Sequence, residues 1–69
     1  MNGLKERRIK AGLTQQEVGD RVGVGTSTVG MWESGANQPR ASTLISLAKL
    51  FGCTVDELLG DEAEVTKGE

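Results

Sequence analysis

Apolar residues recur along the chain at three- and four-residue spacings, and nowhere do they alternate with polar ones as a half-buried strand requires. Gly12, Gly23, Gly35, Gly52 and Gly60 each follow one such segment, and a glycine just past a helical run is a common stop. The pattern predicts five short helices. The first runs from about Gly3 to Ala11, with Asn2 as its N-cap. The second has the best-marked start: Thr14 and Glu17 form a capping box, Leu13 and Val18 the accompanying hydrophobic staple, and it ends before Gly23. The third spans about Thr26 to Ser34. Ala36-Asn37-Gln38-Pro39 reads as a polar loop. The fourth covers about Ala41 to Phe51, with Leu44, Leu47, Ala48 and Phe51 on one face. The fifth repeats the capping logic, Thr54 with Glu57 and Cys53 with Leu58, and stops at Gly60.

Length and composition narrow the chemistry. A chain of 69 residues makes one domain, expected over 1–60, with 61–69 an acidic disordered tail that holds one branched apolar residue, Val65. One cysteine allows no internal disulfide, and the absence of histidine removes the usual zinc sites and His-based triads. No metal, cofactor or catalytic activity is expected, since the acidic residues at helix starts are explained by capping. Cys53 reads as a buried staple residue with no cation placed to lower its pKa. No apolar run approaches about 18 residues and no charged-then-apolar leader is present, so neither a membrane span nor a signal peptide is expected, and the location expected is cytoplasmic.

The net charge of −2 argues at first against a nucleic-acid partner. Its distribution softens the objection. Asp61, Glu62, Glu64 and Glu69 stand against Lys67 alone in the tail, leaving residues 1–59 at +1. Lys5, Arg7, Arg8 and Lys10 cluster near the start.

The 20 residues from Gln15 to Ser34 carry the strongest pattern. Two short helices that cross at about 90–120° through a tight turn need a small residue at the crossing, a turn residue tolerant of positive φ, and apolar groups pointing inward from both sides. Gly19 stands at the first position and Gly23 at the second, with Val18, Val22, Val24, Val29 and Trp32 around them. This is the demand of a DNA-binding helix-turn-helix, with a reading surface near residues 25–31.

With these residues in place, the sequence resembles the Cro and phage-repressor helix-turn-helix family, also called the xenobiotic-response-element family of bacterial regulators. The resemblance covers residues 4 to 60. It is carried by Gly12-Leu13-Thr14-Gln15-Gln16-Glu17-Val18, Gly23-Val24, Ser27-Thr28-Val29, Trp32-Glu33-Ser34-Gly35, Pro39, Thr43-Leu44, Leu47-Ala48 and Val55-Asp56-Glu57-Leu58-Leu59. It implies an all-α, compact five-helix phage-repressor-like domain. It also implies that Gln15 contacts DNA, that the loop of Asn37, Gln38 and Arg40 approaches the sugar-phosphate backbone, and that Arg8 and Glu33 form a structural ion pair. Three positions depart from the family pattern. Arg7 stands where relatives often have an apolar residue, and Ile9 is expected to pack in its stead. Gly25 replaces the Ser or Thr that usually opens the third helix. Arg40 follows the proline, leaving the fourth helix poorly capped but giving the loop a cation.

On the reading helix, Gly25, Thr26, Ser27, Thr28, Gly30 and Met31 are expected to be exposed. None is Arg, Lys, Asn or Gln, so the strongest bidentate base contacts are missing. Thr26 and Ser27 can each exchange a hydrogen bond with a base edge, and the Thr26 methyl and Met31 can touch a thymine methyl. Thr28 either binds a phosphate or satisfies the helix N-terminus. Met31 fits a base or a protein partner equally. Lys5, Arg7 and Lys10 read as a solvated face, with a phosphate-facing patch as the alternative, and Trp32 as core.

The expected function is sequence-specific binding of double-stranded DNA by a transcriptional regulator, with no small-molecule effector domain. The resemblance implies a homodimer across a twofold axis. Helix five and the end of helix four are the expected interface, because Val55, Leu58 and Leu59 look surplus to a small core. The alternative is a protein-interaction module of the same fold, an antitoxin-like or polymerase-docking partner.

Overall fold

A computed structural model describes residues 1–60, which form helices and connecting turns with no strand among them. The acidic tail expected at 61–69 lies outside the described residues. Five helices follow in order: α1 Asn2–Lys10, α2 Gln15–Val22, α3 Thr26–Ser34, α4 Ala41–Phe51 and α5 Val55–Leu59. The all-α expectation therefore holds.

Both predicted capping boxes form. The Glu17 N–H donates to Thr14 Oγ1 at 3.0 Å and the Thr14 N–H to Glu17 Oε1 at 2.8 Å. Thr54 and Glu57 repeat this at 3.1 and 2.8 Å. Each box satisfies two backbone donors that a helix start otherwise leaves unpaired. The Arg7 guanidinium lies against Glu57 at 3.2 Å. The backbone bond from Thr54 foremost, helped by Arg7, holds the Glu57 carboxyl below its usual pKa. Arg40 precedes α4 without a side-chain cap, as expected.

Every helix contributes one aliphatic side chain with no exposure: Leu4, Val18, Val29, Leu47 and Leu58. Trp32, Met1 and Ala48 complete the core. Helix α3 packs on α2 and α1, and α5 fills the space between α1 and α4. One approach is unusually close. A Cβ on Gly3 would lie 1.9 Å from the Glu57 carbonyl oxygen, so α1 and α5 touch backbone to backbone.

Four expectations change here. Helix α1 begins at Asn2 rather than capping on it. Met1 is buried, and its amine donates to the Trp32 carbonyl at 3.2 Å, so the chain is already tied down one residue earlier. Ile9 does not pack in place of Arg7: it is 59% exposed, and α1 reaches the core through Met1 and Leu4. Arg7 is no solvated face residue, because Glu57 pairs it. Val55, Leu58 and Leu59 are not surplus. Leu58 is fully buried, and the other two pack against the core.

The Arg8–Glu33 pair forms as expected. Arg8 Nε lies 2.6 Å from Glu33 Oε2 and Nη2 lies 3.3 Å from Oε1, while Nη1 donates to the Leu13 carbonyl at 3.0 Å. Both side chains are largely shielded, Glu33 at 6% exposure. A second donor reaches the same carboxylate: Gln15 Nε2 donates to Oε1 at 3.0 Å. Glu33 thus ties α1, the α1–α2 turn and α2 to α3.

Cys53 is half-buried against the core. Burial pushes its thiol up, and Arg7, a cation the sequence did not place near it, pulls it down by less.

Three measurements check this packing. Gly3→Ala should lower the urea-unfolding free energy by about 3 kcal/mol, the upper range for forcing volume into a packed contact. Arg8→Ala should cost about 3 kcal/mol, because it leaves a shielded carboxylate without its cation, whereas Arg8→Met combined with Glu33→Met should recover most of that loss. Iodoacetamide should alkylate Cys53 more slowly in the folded protein than in urea at the same neutral pH, since the thiolate is the nucleophile and folding disfavours it.

Candidate nucleic-acid interface

The turn between α2 and α3 is built on Gly19. Its carbonyl accepts from the Gly23 and Val24 N–H groups, both at 2.8 Å. A Cβ on Gly19 would sit 2.6 Å from the Val24 carbonyl oxygen. Gly19, expected from the sequence to clear helix α3, therefore clears the turn itself. Gly23 holds φ 81°, the left-handed conformation the turn needs. The chain then straightens at Gly25 and enters α3 without a capping side chain.

Val29 and Trp32 point α3 into the core. Helical spacing then turns Thr26, Ser27, Gly30, Met31 and Ser34 to the other side. Thr26, Ser27 and Ser34 are exposed, Met31 is 39% exposed, and Gly30 and Thr28 are half-buried. No charged residue stands on that outer face.

Gln15 opens α2 and is half-buried. Its amide nitrogen is engaged by Glu33, and its side chain lies over Gly30, where a Cβ would be 3.6 Å from Nε2. Only a glycine in the middle of α3 hints at this bond along the chain. The amide keeps one N–H and its oxygen for an outside partner. Beside it lies a shallow open depression of about 520 Å³ lined by Arg8, Gly12, Leu13, Thr14, Gln15, Gln16 and Thr26. It joins the starts of α2 and α3. Thr14 and Gln16 enter the candidate surface here, although Thr14 reads in the sequence only as a cap.

The loop after α3 is ordered by short bonds. The Asn37 N–H donates to the Met31 carbonyl at 3.3 Å, and Asn37 Oδ1 accepts from the Gln38 N–H at 3.1 Å. Ser34 Oγ donates to the Met31 carbonyl and accepts from the Ala36 N–H. Pro39 is buried, and Arg40 next to it is exposed. Arg40 meets no carboxylate among the described residues, unlike Arg7 and Arg8. Asn37 is exposed but its carbonyl oxygen serves the loop, leaving its NH₂ to face outward. Lys5 and Lys10 are exposed on α1. Among the described residues no group of His, Cys, Asp and Glu is arranged to hold a metal ion, and no helix is long and apolar enough to cross a membrane.

The chain resembles known proteins over nearly all of this structure. A family model described as helix-turn-helix matches residues 4–58. The transcriptional regulator ImmR of Bacillus subtilis is 35% identical over 66 residues, covering 96% of this chain and 52% of its own length. The transcriptional activator BcrR of Enterococcus faecalis is 33% identical, covering 96% of this chain and 32% of its own. The cryptic phage CTXphi transcriptional repressor RstR of Vibrio cholerae is 34% identical, covering 84% and 52%. The chain thus spans about a third to a half of these relatives. No solved structure matches it at comparable significance. A match that follows the core from Leu4 to Leu58, through the glycine turn and the outward face of α3, makes this chain a member of the helix-turn-helix family of transcriptional regulators.

Proposed function

We propose that the chain binds double-stranded DNA sequence-specifically and regulates transcription, acting as a repressor. The observation that carries this is the outer face of α3: polar, free of the core, and held at a fixed angle by the Gly19 turn and the Glu33 carboxylate. Relatives are named for both signs of control, an activator and a repressor, and occupation of a site by the DNA-binding domain itself acts most simply by exclusion.

In this reading α3 enters the major groove led by its N-terminal end. Thr26 and Ser27 meet base edges, and Met31 meets a thymine methyl. Gly25 lets the backbone come close. Thr28, Gln15 and Asn37 donate to phosphates, and Arg40 supplies the cation. Discrimination by single hydroxyls is modest, so DNA shape and a second half-site supply the rest. The pairing we propose is a homodimer through α5 and the end of α4, where Leu50, Phe51, Val55 and Leu59 keep part of their surface uncovered. Such a protein works in the cytoplasm, on the nucleoid.

A second reading, a protein-interaction module, draws on the uncharged face and on Met31. Salt separates the two. DNA affinity should fall with log salt at a slope near −0.9 per phosphate contacted, whereas feeble, salt-independent affinity for every duplex would favour the interaction module. Arg40→Ala should weaken binding about equally across sequences and flatten the slope by about one contact. Thr26→Ala or Ser27→Ala should shift preference by about 1–3 kcal/mol at one or two base pairs, read by selecting bound duplexes from a random pool.

A further inference from the structure

Gly25 is a glycine the protein itself does not require. Its φ of −80° and ψ of 164° suit any residue. A Cβ built on it meets nothing within 4 Å, and the position is exposed. Seven of the other described glycines have internal reasons: Gly12, Gly23, Gly35, Gly52 and Gly60 hold positive φ, and Gly3 and Gly19 would strike carbonyl oxygens. Gly30 would accept a Cβ at ordinary contact distance, 3.6 Å from the Gln15 amide, whereas at Gly25 the space is empty.

At Gly25 the fold would gain from a different residue. Serine fits the backbone and the space, and its hydroxyl could cap the open first turn of α3. It would also restrict the unfolded chain, which a glycine leaves freest. The next residue, Thr26, lines the depression that runs to the start of α2. The bare backbone at Gly25 therefore stands at the edge of the one surface already assigned to a partner.

We propose that Gly25 is a clearance residue: its missing side chain lets a strand of duplex DNA pass within van der Waals distance of the main chain at the tip of α3. The proposal rests on the DNA-binding reading and adds a steric limit to it. Closeness there replaces the reach of long side chains, which the outer face of α3 lacks. The tip of the helix then measures the width and course of the groove, and any Cβ substituent holds the strand off.

The test uses the full chain and a duplex recovered by it from a randomised pool. Gly25→Ser and Gly25→Thr are compared with the parent in urea denaturation and in titration of that duplex. Gly25→Ser should keep or raise the unfolding midpoint, yet bind about tenfold more weakly, as expected for about 1.4 kcal/mol of forced separation. Gly25→Thr should lose more, in step with its bulk. Equal or tighter binding by both variants would overturn the clearance role while leaving the DNA-binding reading intact. A parent protein that recovers no duplex would overturn both.

Discussion

The carboxylate of Glu33 is the point on which the geometry of the candidate interface depends. Three donors from α1 and α2 converge on it, two from Arg8 and one from Gln15. Arg8 also holds the Leu13 carbonyl, so the turn before α2 is fixed by the same cation. A planar guanidinium gripping a carboxylate through two nitrogens restricts rotation as well as distance. Near-complete shielding of Glu33 makes the alternative, an unpaired charge, costly. Helix α3 therefore cannot tilt or slide without breaking several charge-assisted bonds at once.

Around that joint the hydrophobic core is thin. One fully buried aliphatic residue from each helix, with Trp32, Met1 and Ala48, is most of what a domain of this size can gather. Polar and backbone devices carry a correspondingly large share: two capping boxes, left-handed glycines at helix ends, and carbonyls approached to contact distance at Gly3 and Gly19. The glycines serve opposite ends. Most allow the chain to close on itself, whereas Gly25 borders open space.

What the sequence disclosed and what it hid divide by range along the chain. Caps and stops involve residues three or four apart, so Thr14 with Glu17, Thr54 with Glu57 and the glycine stops were legible, and with them all five helices, the first displaced by one residue. The outer face of α3 followed once periodicity assigned Val29 and Trp32 inward. The Arg8–Glu33 pair came from family resemblance, not from spacing. Contacts formed only on folding were missed: Gly3 against Glu57, Met1 beneath Trp32, Gln15 onto Glu33, and Arg7 onto Glu57. Nothing local marks them, because each joins segments that meet through the packing of others. The same gap misled the reading of Ile9 and of Leu58, whose apolar character says that a residue can be buried and not which residue is.

Trp32 lies beneath α3 with 4% of its surface exposed, and the chain has one tryptophan and no tyrosine. Intrinsic fluorescence therefore comes from a single indole lodged under the helix in question. Its emission wavelength reports whether that helix is seated, so a shift to the red marks its lifting even while circular dichroism still records helical content. The molecule thus carries, without any label, an optical gauge of the joint on which its outer face relies.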